Sequence, residues 1–204
     1  MELAGTYLVN TSDLDEAATI LGPEYGRMTI TRSATDSQPW LRIWRTLVGS
    51  MTLDDLDMTS DACFELAEPE GIVLCRIRAG AVEFHVDDCH IAFERGDLVA
   101  VAADGAKMMV VMRDARCDLI SFSPSLLAEM GKLEGATPCG TPLNRFSVPA
   151  SQSAGQQVAD VIDHIRRFIA NNPLVERKSL VSGSAARYLI ATILAAFPAE
   201  VLES

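Results

Sequence analysis

The sequence predicts a mainly β domain whose C-terminal end is helical. Between residues 41 and 122, short runs of alternating polar and apolar residues follow one another, separated by turn residues such as Asp87-Asp88, Arg95-Gly96-Asp97 and Asp104-Gly105. Many strand-length runs at near-regular spacing indicate a sandwich or barrel, because a parallel sheet would need helices between its strands. Further along the period changes, and Val158, Val161, Ile162, Ile165, Phe168 and Ile169 fall on one helical stripe. Hydrophobic residues make up 49 % of the 204, enough to build the core of one large domain.

Taken in order, Thr11-Ser12-Asp13-Leu14-Asp15-Glu16 reads as a helix start. A hydroxyl cap stands before acids that favour the positive end of the helix dipole. Gly22-Pro23 is expected to end that helix, giving residues 13 to 21, with a strand from Arg27 to Thr31 and a loop through Ser33 to Pro39. The strand-like runs are Leu41 to Val48, the stretch from Met51, Ala62 to Leu66, Gly71 to Arg78, Ala81 to Val86, Cys89 to Phe93, Leu98 to Ala102, Met108 to Met112 and Cys117 to Ser123. A two-residue turn at Asp87-Asp88 would pair Val86 with Cys89, His85 with His90 and Phe84 with Ile91. Phe84, Val86, Cys89, Ile91 and Phe93 then share a core face, while Glu83, His85 and His90 share the opposite, polar one. A short helix over Pro124 to Met130, closed by Gly131, leads into a loop to about Pro149. Asn171-Asn172-Pro173 stops the first long helix, and a second covers about residues 174 to 197, with Gly183 inside it. Residues 1–150 thus form the β region with its short N-terminal helix, and residues 151–204 a two-helix region of the same domain.

Charge and cysteine usage exclude several function classes. Seventeen basic residues against 28 acidic ones leave a formal charge of −11, which repels nucleic acid unless bases are strongly clustered. Five widely spaced cysteines (Cys63, Cys75, Cys89, Cys117 and Cys139) form neither a disulfide framework nor a zinc pattern. Cys75, Cys89 and Cys117 sit in apolar alternations as small hydrophobes. The first residues lack a signal peptide's basic and apolar regions, and the longest apolar stretch, Tyr188 to Phe197, is about half a membrane span. A cytoplasmic location with no membrane contact is expected.

No catalytic constellation stands out. There is no nucleophile elbow, no C-x-x-C pair and no phosphate-cradling glycine loop. Asp54 to Glu70 carries seven acids and no base and reads as exposed surface. Glu83, His85 and His90 can form a two-histidine, one-carboxylate metal set, although a solvated polar face is the preferred reading and no metal or other cofactor is expected. His164 has no ligand-spaced companion. The second long helix offers Tyr188-Leu-Ile-Ala-Thr-Ile-Leu-Ala-Ala-Phe, a packing surface and not a recognition helix.

Several stretches in this order resemble the sensor domain of AraC-type (arabinose-regulator-like) bacterial transcription regulators. They are Thr11-Ser-Asp-Leu-Asp-Glu-Ala, Gly22-Pro-Glu-Tyr25, the strand-rich run from Leu41, Phe93-Glu-Arg-Gly-Asp-Leu-Val, Phe122-Ser-Pro-Ser-Leu-Leu and Ala195-Ala196-Phe197-Pro198. The resemblance covers about residues 8 to 200. It implies a cupin-like jelly-roll barrel that binds a small-molecule effector of unknown identity, followed by a helical hairpin that pairs two subunits as a homodimer. In that family two helix-turn-helix motifs follow and bind DNA; the sequence ends at Ser204, so DNA contact is expected only through a domain absent from this chain. Expected pocket residues are Trp44, Cys75, Phe84 and Met109, with Arg42, Arg76 and Tyr25 as polar anchors, and expected dimer-interface residues are Ile165, Phe168, Leu180, Tyr188 and Ile193. The sequence-level expectation is therefore a regulatory domain and not an enzyme. The alternatives are a metal-dependent cupin-type enzyme using Glu83, His85 and His90, and a pure dimerisation module without a ligand.

Overall fold

The structure, a computed structural model, describes residues 5–32, 38–67, 70–87, 89–123, 125–126, 146–170 and 179–197. Among the described residues, ten strands and three α-helices make three layers. The strands are β1 (Thr6–Thr11), β2 (Met28–Arg32), β3 (Leu41–Val48), β4 (Met51–Met58), β5 (Ala62–Leu66), β6 (Glu70–Val86), β7 (Cys89–Glu94), β8 (Leu98–Asp104), β9 (Met108–Phe122) and β10 (Phe146–Ser147). The helices are α1 (Leu14–Tyr25), α2 (Gln152–Ile165), which runs into a π-helical turn (Arg166–Ala170), and α3 (Ser179–Ala196). The expected mainly β domain with C-terminal helices is what the structure shows. The Asp88 turn residue, Cys139, the Asn171-Asn172-Pro173 stop, and most of the expected 33–39 loop, 124–130 helix and 131–149 loop lie outside the described residues.

All pairings are antiparallel, in the order β1-β3-β4-β9-β6-β8-β10, with β2-β5 attached to β9 and β7 attached to β6. Four expected strands prove to be two long ones, because β6 and β9 each run through both halves of the shell. Gly71 to Phe84 of β6 meet β8 first and β7 later, while β9 accompanies both halves. The strands bend together where their register shifts between Ile77 and Ala81. Gly80 has φ +69°, and a Cβ there would lie 2.2 Å from the Arg113 carbonyl oxygen, so only glycine fits this corner. Asp114, with φ +43°, is its counterpart on β9. The bend divides the shell into an inner sheet (β1-β3-β4, the C-terminal half of β9, the N-terminal half of β6, β8-β10) and an outer sheet (β2-β5 with the other halves of β9 and β6, and β7).

Strand parity then fixes two cores. Ile43, Leu56, Cys75, Ile77 and Leu119 of the inner sheet face Phe64, Val82, Phe84, Val110 and Met112 of the outer sheet. The opposite face of the inner sheet, with Leu53, Leu74 and Ile120, packs on Val158, Ile162 and Ile165 of α2 and Leu189, Ile190 and Ile193 of α3. The register of the β6–β7 hairpin is the expected one, Val86 to Cys89, His85 to His90 and Phe84 to Ile91. Cys89, however, is exposed at the hairpin end and not a core residue, while Cys75 and Cys117 are buried.

Helix ends differ from expectation for identifiable reasons. Asp13 caps α1, its carboxylate accepting from the Asp15 and Glu16 amides, while the Thr11 hydroxyl accepts from the Asp13 amide. Pro23 does not stop α1; the helix continues to Tyr25, and the Gly26 amide closes the last turn on the Gly22 carbonyl. Ser151 caps α2 by accepting from the Ala154 amide. Phe168 leaves the helical stripe because the π-turn adds residues per turn and carries its side chain out to the surface. Tight packing also explains the small residues at the start of α3: a Cβ at Gly49, on the β3–β4 turn, would sit 3.2 Å from the Gly183 Cα and the Ala186 Cβ.

Candidate functional site

Between the two sheets the packing leaves a cavity of about 100 Å³. Leu21 and Tyr25 of α1, Met28 of β2, Ile43, Leu56, Cys75 and Leu119 of the inner sheet, and Phe64, Phe84, Val110 and Met112 of the outer sheet are among the residues that line it. Tyr25 and Cys75 are the lining residues that carry a hydroxyl or a thiol; the others are aliphatic, aromatic or methionine. The Cys75 thiol is hydrogen-bonded with Cys117, and this together with burial holds it protonated well above the usual thiol range. Such a space suits an apolar body with one polar anchor.

The Tyr25 hydroxyl is held by a charged cluster on two strands. The Tyr25 hydroxyl donates to Asp54 on β4. Asp54 is fully buried and is gripped by Arg45 of β3, Nε to Oδ1 at 2.8 Å and Nη2 to Oδ2 at 2.7 Å. Arg45 also donates to Glu24 of α1. Burial pushes the Tyr25 hydroxyl well above its ordinary pKa, and the Asp54 charge adds to that, while the Asp54 hydrogen bond raises Arg45. Asp54 thus corrects the expectation that the acidic run from residue 54 is solvated surface. An arginine directly across the ladder at Asp54 supplies the partner that the local sequence lacks.

The opposite face of the inner sheet carries a second polar cluster under α2. Fully buried Asp118 of β9 lies 3.2 Å from Arg78 Nε and 3.6 Å from Arg76 Nη1 and accepts from Arg166 of the π-turn. Arg78 and Arg166 also donate to Asp55, and Arg76 to Asp163 of α2 at 2.7 Å. Burial pulls Arg166 below its ordinary pKa, although Asp55 opposes that shift. Sequence pattern missed both clusters because their partners are mostly far apart in the chain.

Of the expected pocket residues, Tyr25, Cys75 and Phe84 line the cavity. Trp44 does not: strand parity turns it outward, where its ring meets Tyr7 edge-on at 4.6 Å. Met109 lies between the cavity-lining Met108 and Val110 and so points to the outer face. Arg42 is turned outward to pair with Asp57 at 2.5 Å, and Arg76 faces the helices. Among the expected interface residues, Ile165 and Ile193 are buried against the inner sheet of their own chain and cannot meet a partner, whereas Phe168, Leu180 and Tyr188 are exposed. Glu83, His85 and His90 do come together, on the surface of the outer sheet, so they face away from the cavity. There the hydrogen bond from Arg113 holds the Glu83 carboxyl below its usual range. Among the described residues no helix is long and apolar enough to cross a membrane.

This three-layer arrangement aligns with the crystal structure of the AraC-like transcriptional activator CuxR over 98 % of this chain and 73 % of that one, with a TM-score of 0.68 at 15 % identity. The fold is AraC-like. An apo ToxT variant from Vibrio cholerae strain SCE256 aligns with this chain at TM-score 0.52 and 6 % identity, over 72 % of this chain and 55 % of that one. A cupin 2 conserved barrel domain protein from Salinispora arenicola CNS-205 aligns over 42 % of this chain and 77 % of its own, with 16 % identity and TM-score 0.35. No protein-family model and no curated protein matches the sequence.

Proposed function

We propose that the chain is the effector-sensing and dimerisation part of an AraC-type cytoplasmic transcription regulator, controlling a DNA-binding domain attached to it or carried by a partner. In this reading a small, largely apolar molecule enters the cavity between the sheets and places one polar group at Tyr25. The cavity is smaller than the roughly 150 Å³ that admits benzene, so larger effectors require the flexible side chains of Met28, Met108 or Met112 to move.

One observation carries the proposal: the inner sheet is a single wall shared by the cavity and the helices. Consecutive residues on its strands point alternately to the two sides, Leu56 and Asp55, Cys75 and Arg76, Leu119 and Asp118. A ligand that shifts the cavity face therefore moves side chains that hold α2 and the π-turn. The exposed side of the helical layer carries Phe168 on the π-turn and Leu180 and Tyr188 on α3, with an open groove beside Tyr188 between α2 and α3. Exposed aromatic surface of this kind fits self-pairing about a two-fold axis.

Thermal denaturation across a panel of small apolar metabolites tests the sensing part, since a ligand that binds only the folded chain raises its Tm. Val101 of β8 also lines the cavity, and the expected result is stabilisation that vanishes in Val101→Phe, which fills it; a panel without effect, or an effect retained in that variant, rejects the site. Sedimentation tests pairing: the wild-type chain is expected to dimerise and the Phe168→Glu, Tyr188→Glu double variant to be monomeric.

A further inference from the structure

We propose that Glu83, His85 and His90 form a divalent transition-metal site on the outer surface of the shell, independent of the cavity and suited to zinc. His85 and His90 are directly opposed across β6 and β7, and Glu83 lies two residues before His85 on the same face. The imidazoles stack with centroids 4.3 Å apart and planes 20° from parallel. His85 Nε2 is 3.7 Å and His90 Nε2 3.5 Å from Glu83 Oε2. A tetrahedral ion bound at about 2.0–2.1 Å holds neighbouring donor atoms about 3.3–3.5 Å apart. The two nitrogen–carboxylate distances are therefore close to the spacing that one ion needs, and all three donor atoms lie within 4.8 Å of one another; ligation requires the stacked rings to rotate until their lone pairs converge.

Two further features point the same way. The His85 Nε2 atom is buried and has no hydrogen-bond partner, so a nitrogen that demands one is aimed into the cluster unsatisfied. On the far side of the carboxylate, Arg113 Nε donates to Glu83 Oε1 at 2.9 Å, which fixes the group and leaves Oε2 for the ion. Asp61, 3.6 Å from Arg113, offsets part of the arginine charge. Two imidazoles and one carboxylate favour a borderline cation over calcium or magnesium, which need several oxygen donors. His90 is 55 % exposed on its side chain, so the remaining coordination position is open to water. An ion here would tie β7 to β6 on the face opposite Phe84.

The test is titration of the full chain with Zn²⁺ against a chromophoric chelator, with Co²⁺ absorption as the report of tetrahedral geometry. One ion per chain is expected, with affinity reduced at least about tenfold in His85→Ala, His90→Ala and the near-isosteric Glu83→Gln, and unchanged in Cys63→Ser and Cys89→Ser. Circular dichroism checks that each variant is folded. Absence of saturable binding, equal affinity in the histidine variants, or loss of binding in Cys89→Ser alone would overturn the assignment.

Discussion

Arg45 and Asp54 face each other across β3 and β4 in a two-pronged ion pair, with Asp54 fully buried and the arginine at its only charged flank described. Removing one partner of such a pair strands the other charge, which costs about 3–5 kcal/mol. Arg45→Ala is expected to lose that much stability in urea denaturation. An Arg45→Met, Asp54→Leu double variant recovers most of it, because replacing both charges removes the desolvation penalty as well as the attraction.

Tyr25 gives a pH signature. Its folded-state pKa is raised, by burial first and the Asp54 charge second, so the folded chain keeps a proton that the unfolded chain loses above about pH 10. Unfolding then releases a proton, and the stabilising contribution, complete below that pH, is lost as pH rises further. In an alkaline titration followed by tyrosinate absorbance, Tyr25 is expected to ionise only as the chain unfolds. Tyr25→Phe removes the late phase.

The cluster under α2 is asymmetric. Asp118 is shared by Arg76, Arg78 and Arg166, whereas each arginine also has another acid. Asp118→Ala is therefore expected to cost about 3–5 kcal/mol and Arg166→Ala about 1–3 kcal/mol. Denaturation midpoints of the two variants check the order; equal losses would mean that Arg166 is the sole important partner.

Much of the fold was legible in the sequence because strand parity is local. The β6–β7 register and the division of Phe84 from His85 follow from period two and a two-residue turn. The continuity of β6 and β9 was hidden because Gly80 and Asp114 resemble turn residues but act as corners within strands. Trp44 and Met109 were misplaced for a different reason: bulk and apolarity do not reveal which face a residue occupies, and Tyr7 satisfies Trp44 outside the shell. Asp54 was read as surface since Arg45, nine positions away, becomes its neighbour only once β3 and β4 pair. Phe168 sat on the predicted stripe, and only the π-turn removes it.

A direct measurement of the central claim is methyl NMR of the methionines during titration with small apolar alcohols. Met28, Met108 and Met112 line the cavity, Met51 lies on the helix side of the shared wall, and Met109 is on the outer face. Binding in the cavity predicts saturable shifts at Met28, Met108 and Met112, a smaller response at Met51 transmitted through the wall, and none at Met109. Saturable shifts confined to Met109, or no saturable shift at any cavity methionine, would contradict the account.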